Sequence, residues 1–321
     1  MSCRHCGSDC TTQETKDPLS IDEWQKLIDH VCANFSSELA FVFTGGEPLL
    51  YPGLCDLGRR ISTRGRRWGL VTNGYALDED TLAKLIAAGV GSITISLDGD
   101  RDQHTWLRRN PESFDRALRA LKLVGKTDIE NKDAVTCVHP GNLNNLDRIG
   151  ALLHEAGIRQ WRLFRIFPLG RAAQNSELML GNEGEAALVR WIADNRRRYR
   201  SLGVRIELSC EGWLPYGLDR RVRNEPFFCR SGINIASVLA DGCITGCSNN
   251  ASHLYQGNIR TTSLAQAWEH GFSVYRNRRQ PVKGPCASCR EFSNCLGGSA
   301  HLWKEAGSYT ESCPISSYFE R

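Results

Sequence analysis

The sequence predicts an α/β protein of parallel strands joined by single helices, followed by a smaller cysteine-rich α+β region. Three observations predict it. Short apolar runs alternate with amphipathic stretches of helical period from Ile21 to Leu208. Polar and glycine-rich clusters fall at the carboxyl ends of those runs and not at their starts. Beyond Gly212 the alternation stops, and eight of the fourteen cysteines lie between Cys210 and Cys313.

Taken in order, Ser20-Ile21-Asp22-Glu23 is a capping box. Behind it Trp24, Leu27, Ile28 and Val31 share one helical face. Leu39 to Phe43 is a buried strand that ends in Thr44-Gly45-Gly46-Glu47-Pro48, a tight loop. Gly69 to Thr72 is the next strand, ending at Asn73-Gly74, and Asp78 caps a helix with Leu82, Leu85 and Ile86 inward. Ile93 to Leu97 ends at Asp98-Gly99, and Phe114, Ala117, Leu118 and Leu121 mark a helix. Ala134 to Val138 ends at His139-Pro140-Gly141-Asn142, with Leu146, Ile149 and Leu153 following at helical spacing. Gln160 to Phe167 ends at Pro168-Leu169-Gly170-Arg171, Leu188, Trp191 and Ile192 mark another helix, and Val204 to Leu208 is a last strand. Strands alternating with helices imply parallel pairing by right-handed crossovers. A doubly wound sheet and a (β/α) barrel both fit, and in either the chemistry belongs at the carboxyl ends of the strands.

A chain of 321 residues suggests one large domain and one smaller one, and we place the boundary so that they cover 1–211 and 212–321. A net charge of only +4 speaks against nucleic acid or a membrane surface as partner. The cluster Arg196, Arg197, Arg198 and Arg200 reads as a solvated helix end, where cations suit the helix dipole. No apolar run is long enough to span a bilayer, and Met1-Ser2-Cys3-Arg4-His5-Cys6 has no signal-peptide core, so the expected location is cytoplasmic. In that reducing compartment the cysteines are expected to hold metal or clusters rather than disulfides. Cys32, Cys55 and Cys137, scattered through apolar segments, are expected to fill core.

Cys3-x2-Cys6 alone suits zinc, iron–sulfur or redox chemistry equally. Gly45-Gly46-Glu47-Pro48 adds glycines that let backbone approach a ligand and a carboxylate that can accept from an ammonium group. Together they resemble the radical S-adenosylmethionine (SAM) superfamily, whose cluster motif is Cys-x3-Cys-x2-Cys with an aromatic residue usually before the last cysteine. Here His5 precedes Cys6, so Cys6 resembles the last ligand and Cys3 the middle one. The first would lie two residues ahead of Met1, and Met1 is therefore expected not to be the true start. A permuted triad of Cys3, Cys6 and Cys10 is the alternative.

The resemblance implies a partial (β/α)6 TIM-like barrel lacking the family's first strand. It also implies a 4Fe–4S cluster with one iron free of protein ligands, which SAM chelates. By the same resemblance Gly45, Gly46, Glu47 and Pro48 hold the methionine amino group, and Asn73 lies at the end of the family's third strand. Ser96 and Asp98 match the position that meets the ribose, and His104 with Arg108 matches a recurrent His–Arg pattern. Arg165 and the segment Phe167 to Arg171 match the region near the carboxylate and adenine. For Asn142 and Arg165, loop capping and a solvated charge remain equal alternatives.

The tail resembles the family's SPASM pattern: Cys229, Gly242 and Cys247, then Cys286-x2-Cys289-x5-Cys295, then Cys313. Such tails hold one or two auxiliary 4Fe–4S clusters. Cys286, Cys289, Cys295 and Cys313 match the set for one cluster, whereas Ser299 stands where the other expects a third cysteine beside Cys229 and Cys247. Cys243 or Cys210 could substitute, one cluster could be shared by Cys229, Cys247, Cys286 and Cys289, and zinc is the competing metal.

The resemblance implies reductive SAM cleavage to a 5′-deoxyadenosyl radical, hydrogen abstraction from a ribosomal precursor peptide or protein, and an electron donor such as flavodoxin or ferredoxin. A sulfatase-maturase-like activity is disfavoured because Ser248 follows Cys247 where those enzymes carry an aspartate. A zinc-stabilised binding protein is the alternative from another class.

Overall fold

The computed structural model describes residues 1–10, 17–210, 212–279, 281, 284 and 286–303. The chain divides into two compact units, Met1–Gln13 with Trp24–Ser209, and Glu14–Glu23 with Cys210–Arg321.

In the first unit six strands form one parallel sheet in sequential order: β1 Ala40–Phe43, β2 Arg67–Thr72, β3 Ser92–Ser96, β4 Asn131–Val138, β5 Gln160–Arg165 and β6 Arg205–Leu208. Sequential order means that every crossover steps the same way. That excludes the doubly wound alternative, whose strand order reverses, and leaves an open, barrel-like curl. Helix α1 Ile21–Asn34 precedes β1, and the crossover helices are α2 Leu54–Thr63, α3 Glu79–Ala87, α4 Arg101–Arg108, α5 Ser113–Gly125, α6 Leu146–Glu155 and α7 Gly181–Ser201, with α4 and α5 both between β3 and β4. Helix α4 lies where the sequence showed no apolar stripe. Its capping box of Asp100 and Gln103 starts it, and it buries His104, Leu107 and Arg108.

The core holds Trp68 and Trp161 fully buried. Each indole N–H has an acceptor, Trp68 on the Ala88 carbonyl at 3.1 Å and Trp161 on Thr136 Oγ1 at 2.8 Å. Gly58 in α2 makes room for Trp68, since a Cβ there would lie 2.3 Å from the ring. β1 and β6 are the edge strands, and β1 is not the buried strand expected from its apolar run: Val42 on it is 61% exposed.

The second unit contains α8 Tyr216–Val222, a two-stranded antiparallel hairpin of β7 Ser237–Val238 and β8 Ile244–Thr245, and α9 Leu264–His270. The hairpin turns at Asp241-Gly242, with Gly242 at φ +86°. The buried Tyr275 hydroxyl ties the unit together: it donates to the Leu254 carbonyl at 2.8 Å and accepts from Asn250 Nδ2 at 2.8 Å. Residues 17–23 belong to this unit rather than to the first, contrary to the sequence expectation, and the reason is local. Leu19 N–H donates to the Ala240 carbonyl at 2.7 Å, and Arg260 pairs with both Asp17 and Glu23. No helix among the described residues is long and apolar enough to cross a membrane.

Candidate active site

The carboxyl ends of the strands gather the N-terminal cysteines and the Gly45-Gly46-Glu47-Pro48 loop. Gly45 takes φ +119°, which a side chain would resist. A Cβ on Gly46 would lie 4.0 Å from the Cys10 Cβ, so the glycine loop and the cysteine loop are neighbours. Glu47 is half-buried and accepts from Leu49 N–H at 3.2 Å, Thr72 Oγ1 at 2.6 Å and Asn73 N–H at 2.8 Å. Burial nevertheless pushes its carboxyl above the ordinary range, because those donors do not replace lost water. A bound ammonium group would relieve that penalty. Pro48 is buried at the first position of the short helix that follows. Asn73 places its side-chain oxygen on Tyr75 N–H at 2.8 Å, which shapes the turn after β2.

The cysteine loop is a coil held by other backbone. Arg4 N–H donates to the Leu107 carbonyl at 2.9 Å, and its guanidinium lies 4.7 Å from the Trp106 ring centre. Cys10 N–H donates to Cys6 Sγ at 3.3 Å. The hydrogen bond from the Cys10 thiol, with Arg171 nearby, holds the Cys6 thiol below the ordinary range despite burial. Cys3 and Cys6 are half-buried free thiols, and no disulfide occurs among the described cysteines.

Asp98, with Ser96, is the residue that the resemblance matches to the ribose position. It is fully buried, with one oxygen on Arg108 at 2.6 Å and the other on Cys137 N–H at 2.8 Å. Burial alone would raise its carboxyl, but Arg108, His5 and His104 outweigh that and hold it low. Asp98 N–H donates to His104 Nδ1 at 3.0 Å, and Asn142 Nδ2 donates to the Asp98 carbonyl at 2.7 Å. Asn142, fully buried, is thus a staple between the β3 and β4 loops. Burial first, then Arg108, lowers the His5 ring to about 3, and burial lowers His104 to about 4. Ser96, 8% exposed, closes β3 beneath this network.

His5, Asp98 and Cys137 bring ligand atoms within 4.8 Å of one another. Asp98 is already neutralised by Arg108, so this triad is an ion-pair network with a neutral histidine against it, not a cation site. Cys137 accordingly does more than fill core: it packs against Leu107, Ile166, Ala172 and Leu178 while its amide ties down Asp98.

Arg165, at the end of β5, is ion-paired with Glu185 of α7 and lies 4.9 Å from the Phe167 ring centre. Arg171, expected near the carboxylate and adenine, turns to the cysteine loop: its Nε donates to the Cys3 carbonyl at 2.9 Å and its NH1 to the Cys10 carbonyl at 2.8 Å. Glu185, Thr72 and the role of Arg171 carried no sequence signal, since each depends on a partner distant along the chain.

In the second unit, Cys229 is buried and its Sγ accepts Ala300 N–H at 3.4 Å. Burial pushes the Cys247 thiol up, and the neighbouring Cys229 adds to that. Ser299, 1% exposed, donates to the Cys210 carbonyl at 3.5 Å. Cys243 is engaged elsewhere, with its amide on Asp241 at 3.0 Å and its Sγ near Asn258 Nδ2 at 3.8 Å. Cys286 and Cys289 share a turn closed by Cys289 N–H on the Cys286 carbonyl at 3.4 Å, and Cys295 ends a short helix with its amide on Glu291 O at 2.8 Å. Cys313 lies outside the described residues.

Free thiols with amide and cationic donors fit an anionic iron–sulfur cluster, and Glu47 fits an ammonium ligand. Comparison with known proteins agrees. Residues 1–154 match the radical SAM superfamily, and residues 229–290 match the SPASM iron–sulfur cluster-binding domain. The chain is 24% identical to an AdoMet-dependent heme synthase of Methanosarcina barkeri (strain Fusaro / DSM 804), covering 99% of this chain and 93% of that protein. It is 26% identical to the mycofactocin maturase MftC of Mycolicibacterium smegmatis, covering 93% and 74% respectively. The fold superposes on Streptococcus suis SuiB bound to the precursor peptide SuiA with a TM-score of 0.73 at 15% identity, covering 98% of this chain and 72% of that one. The chain thus carries a radical SAM domain and a SPASM domain, and is a radical SAM enzyme whose cofactors are 4Fe–4S clusters and S-adenosylmethionine.

Proposed function

We propose that this enzyme reductively cleaves SAM and abstracts a hydrogen atom from a carbon of a precursor peptide or small protein. Cys3 and Cys6 would hold the SAM-binding cluster, and Gly45, Gly46, Glu47 and Pro48 the methionine end of SAM, with Asn73 and Ser96 lining the neighbouring strand ends. The bound cofactors supply a 5′-deoxyadenosyl radical. The chain's own part is to orient and to exclude water. Glu47 accepts from the amino group, the glycines give backbone access, and the Asp98–Arg108 network fixes the floor under the cysteine loop. The observation that carries this reading is Glu47: a half-buried carboxylate, raised by burial, set beside the thiol loop.

In the second unit we assign Cys229 and Cys247 to one auxiliary cluster and Cys286, Cys289, Cys295 and Cys313 to another. A one-electron protein donor of the flavodoxin or ferredoxin class would reduce the enzyme in the cytoplasm. The peptide reading draws support from the fold shared with SuiB and from the maturase MftC. A second reading, modification of a tetrapyrrole, draws support from the heme synthase, which aligns over 93% of its length.

The test is anaerobic reconstitution of the full chain, with iron, sulfide and 5′-deoxyadenosine measured. Wild type should form 5′-deoxyadenosine, and Cys6→Ala should not. Zinc without sulfide in the isolated protein would refute the assignment. Turnover of an iron tetrapyrrole with no turnover of a peptide encoded beside the gene would select the tetrapyrrole reading.

A further inference from the structure

The cysteine loop has no secondary structure of its own, so something else must hold its backbone. Most of that work converges on one residue. Arg171 Nε donates to the Cys3 carbonyl at 2.9 Å. Its NH1 donates to the Cys10 carbonyl at 2.8 Å and to Asp9 Oδ1 at 2.9 Å. Its own backbone N–H donates to the Cys6 carbonyl at 3.0 Å. One residue therefore grips the loop at both ends and in the middle, from more than 160 positions away along the chain.

The approach is built for contact. Arg171 sits in a short helix, Gly170–Gln174, and Gly170 before it has φ +55°. A Cβ there would fall 2.5 Å from the Cys6 carbonyl oxygen, so any side chain would push the helix off the loop. Asn175 backs the contact by donating to the Arg171 carbonyl at 2.8 Å and reaching the Arg4 carbonyl at 3.4 Å. A planar guanidinium with several fixed donors can hold two carbonyls and a carboxylate at once, which a lysine ammonium on a flexible stem does poorly.

We propose that Arg171 is the positioning residue of the SAM-cluster loop: it sets the backbone that presents Cys3 and Cys6, and its positive charge, only partly screened by the solvent-exposed Asp9, eases reduction of the cluster those thiolates hold. The charge argument is simple electrostatics. Adding an electron makes the cluster more negative, and a nearby cation stabilises that form more than the oxidised one. This inference rests on the ligand assignment proposed above, and its test separates the two.

The experiment compares wild type, Arg171→Met and Arg171→Lys in the full chain, with Cys6→Ala as reference. In the cluster-free proteins, amide hydrogen exchange of Arg4 to Cys10 should speed up by about tenfold or more in Arg171→Met, and less in Arg171→Lys, with exchange in β2 to β5 unchanged. After anaerobic reconstitution, Arg171→Met should lose the share of iron that Cys6→Ala loses. The cluster it retains should have a more negative midpoint potential, and Arg171→Lys should restore the potential more fully than the occupancy. Wild-type loop exchange in Arg171→Met overturns the clamp whatever the metal content. An unchanged potential in both variants overturns the charge effect. If wild type binds no iron and sulfide while the loop exchange still responds, the clamp stands and the ligand assignment falls.

Discussion

Two carboxylates follow strands of one sheet that are separated by a single strand, and they meet opposite fates. Asp98, after β3, is fully buried against Arg108, accepts the Cys137 amide and is held in its charged form. Glu47, after β1, is half-buried among neutral donors, and burial drives it toward its uncharged form. The contrast separates a carboxylate whose counter-ion lies in the chain from one that has none there and is, on the proposed reading, a ligand contact. A buried charge with its counter-ion in the chain is complete. One raised by desolvation gains most from a cation that arrives from outside.

The largest expected effect comes from uncovering Asp98. Arg108→Met leaves a buried carboxylate without its cation and should cost about 3–5 kcal/mol, read as a fall in denaturation midpoint. Adding Asp98→Leu should recover much of that loss. If the double variant is no better than the single one, Asp98 is not the charge that Arg108 answers.

Glu47→Gln should act on binding more than on stability. On the proposed assignment it removes a charge-assisted contact to the SAM ammonium, worth about 1.5–3 kcal/mol, and swaps one acceptor for a donor facing Asn73 N–H, about 1 kcal/mol. Calorimetric titration with SAM should therefore show a larger loss than thermal denaturation does. Equal losses would make Glu47 a second structural carboxylate and dissolve the contrast.

Acid should act through the histidines around Asp98. His104 is lowered to about 4 and His5 to about 3, below the unfolded value of 6.5. The unfolded chain thus binds protons that the folded chain refuses. Stability present above pH 6.5 is lost as pH falls toward 4, at up to about 1.4 kcal/mol per pH unit for each ring. His104→Asn should flatten the dependence of the denaturation midpoint on pH in that window. An unchanged slope would mean that these rings do not stay neutral.

The smallest effect is a control. Glu112 on the surface accepts from the Tyr75 hydroxyl at 2.6 Å, both groups in water. Tyr75→Phe should leave the melting temperature and SAM affinity unchanged. A clear drop in either would show that exposure is a poor guide here.

Much of the site's outline was legible along the chain. Gly45-Gly46-Glu47 was readable because a glycine turn after an apolar run has one structural meaning wherever it occurs. Asp78 was readable as a cap for the same reason, and its carboxylate does accept Thr81 N–H at 2.9 Å. Helix α4 was not, because it buries a histidine and an arginine instead of an apolar stripe. Asp98 and Arg171 were singled out as residues, but their partners within the chain were not legible. Each takes its role from groups that only folding brings near: Arg108 and Cys137 for the first, the cysteine loop for the second.

The sequence by itself determined the alternation of strand and helix, the order of the polar clusters, and the cysteine and glycine motifs that mark the family. These depend on period and spacing, which are properties of short stretches of chain. The tertiary structure alone decided that the strands lie in sequential order, that residues 17–23 join the second unit, that Asp98 is sealed while Glu47 is not, and that Arg171 holds the cysteine loop. Those outcomes turn on burial and on partners far apart in sequence, and neither is written in any local pattern.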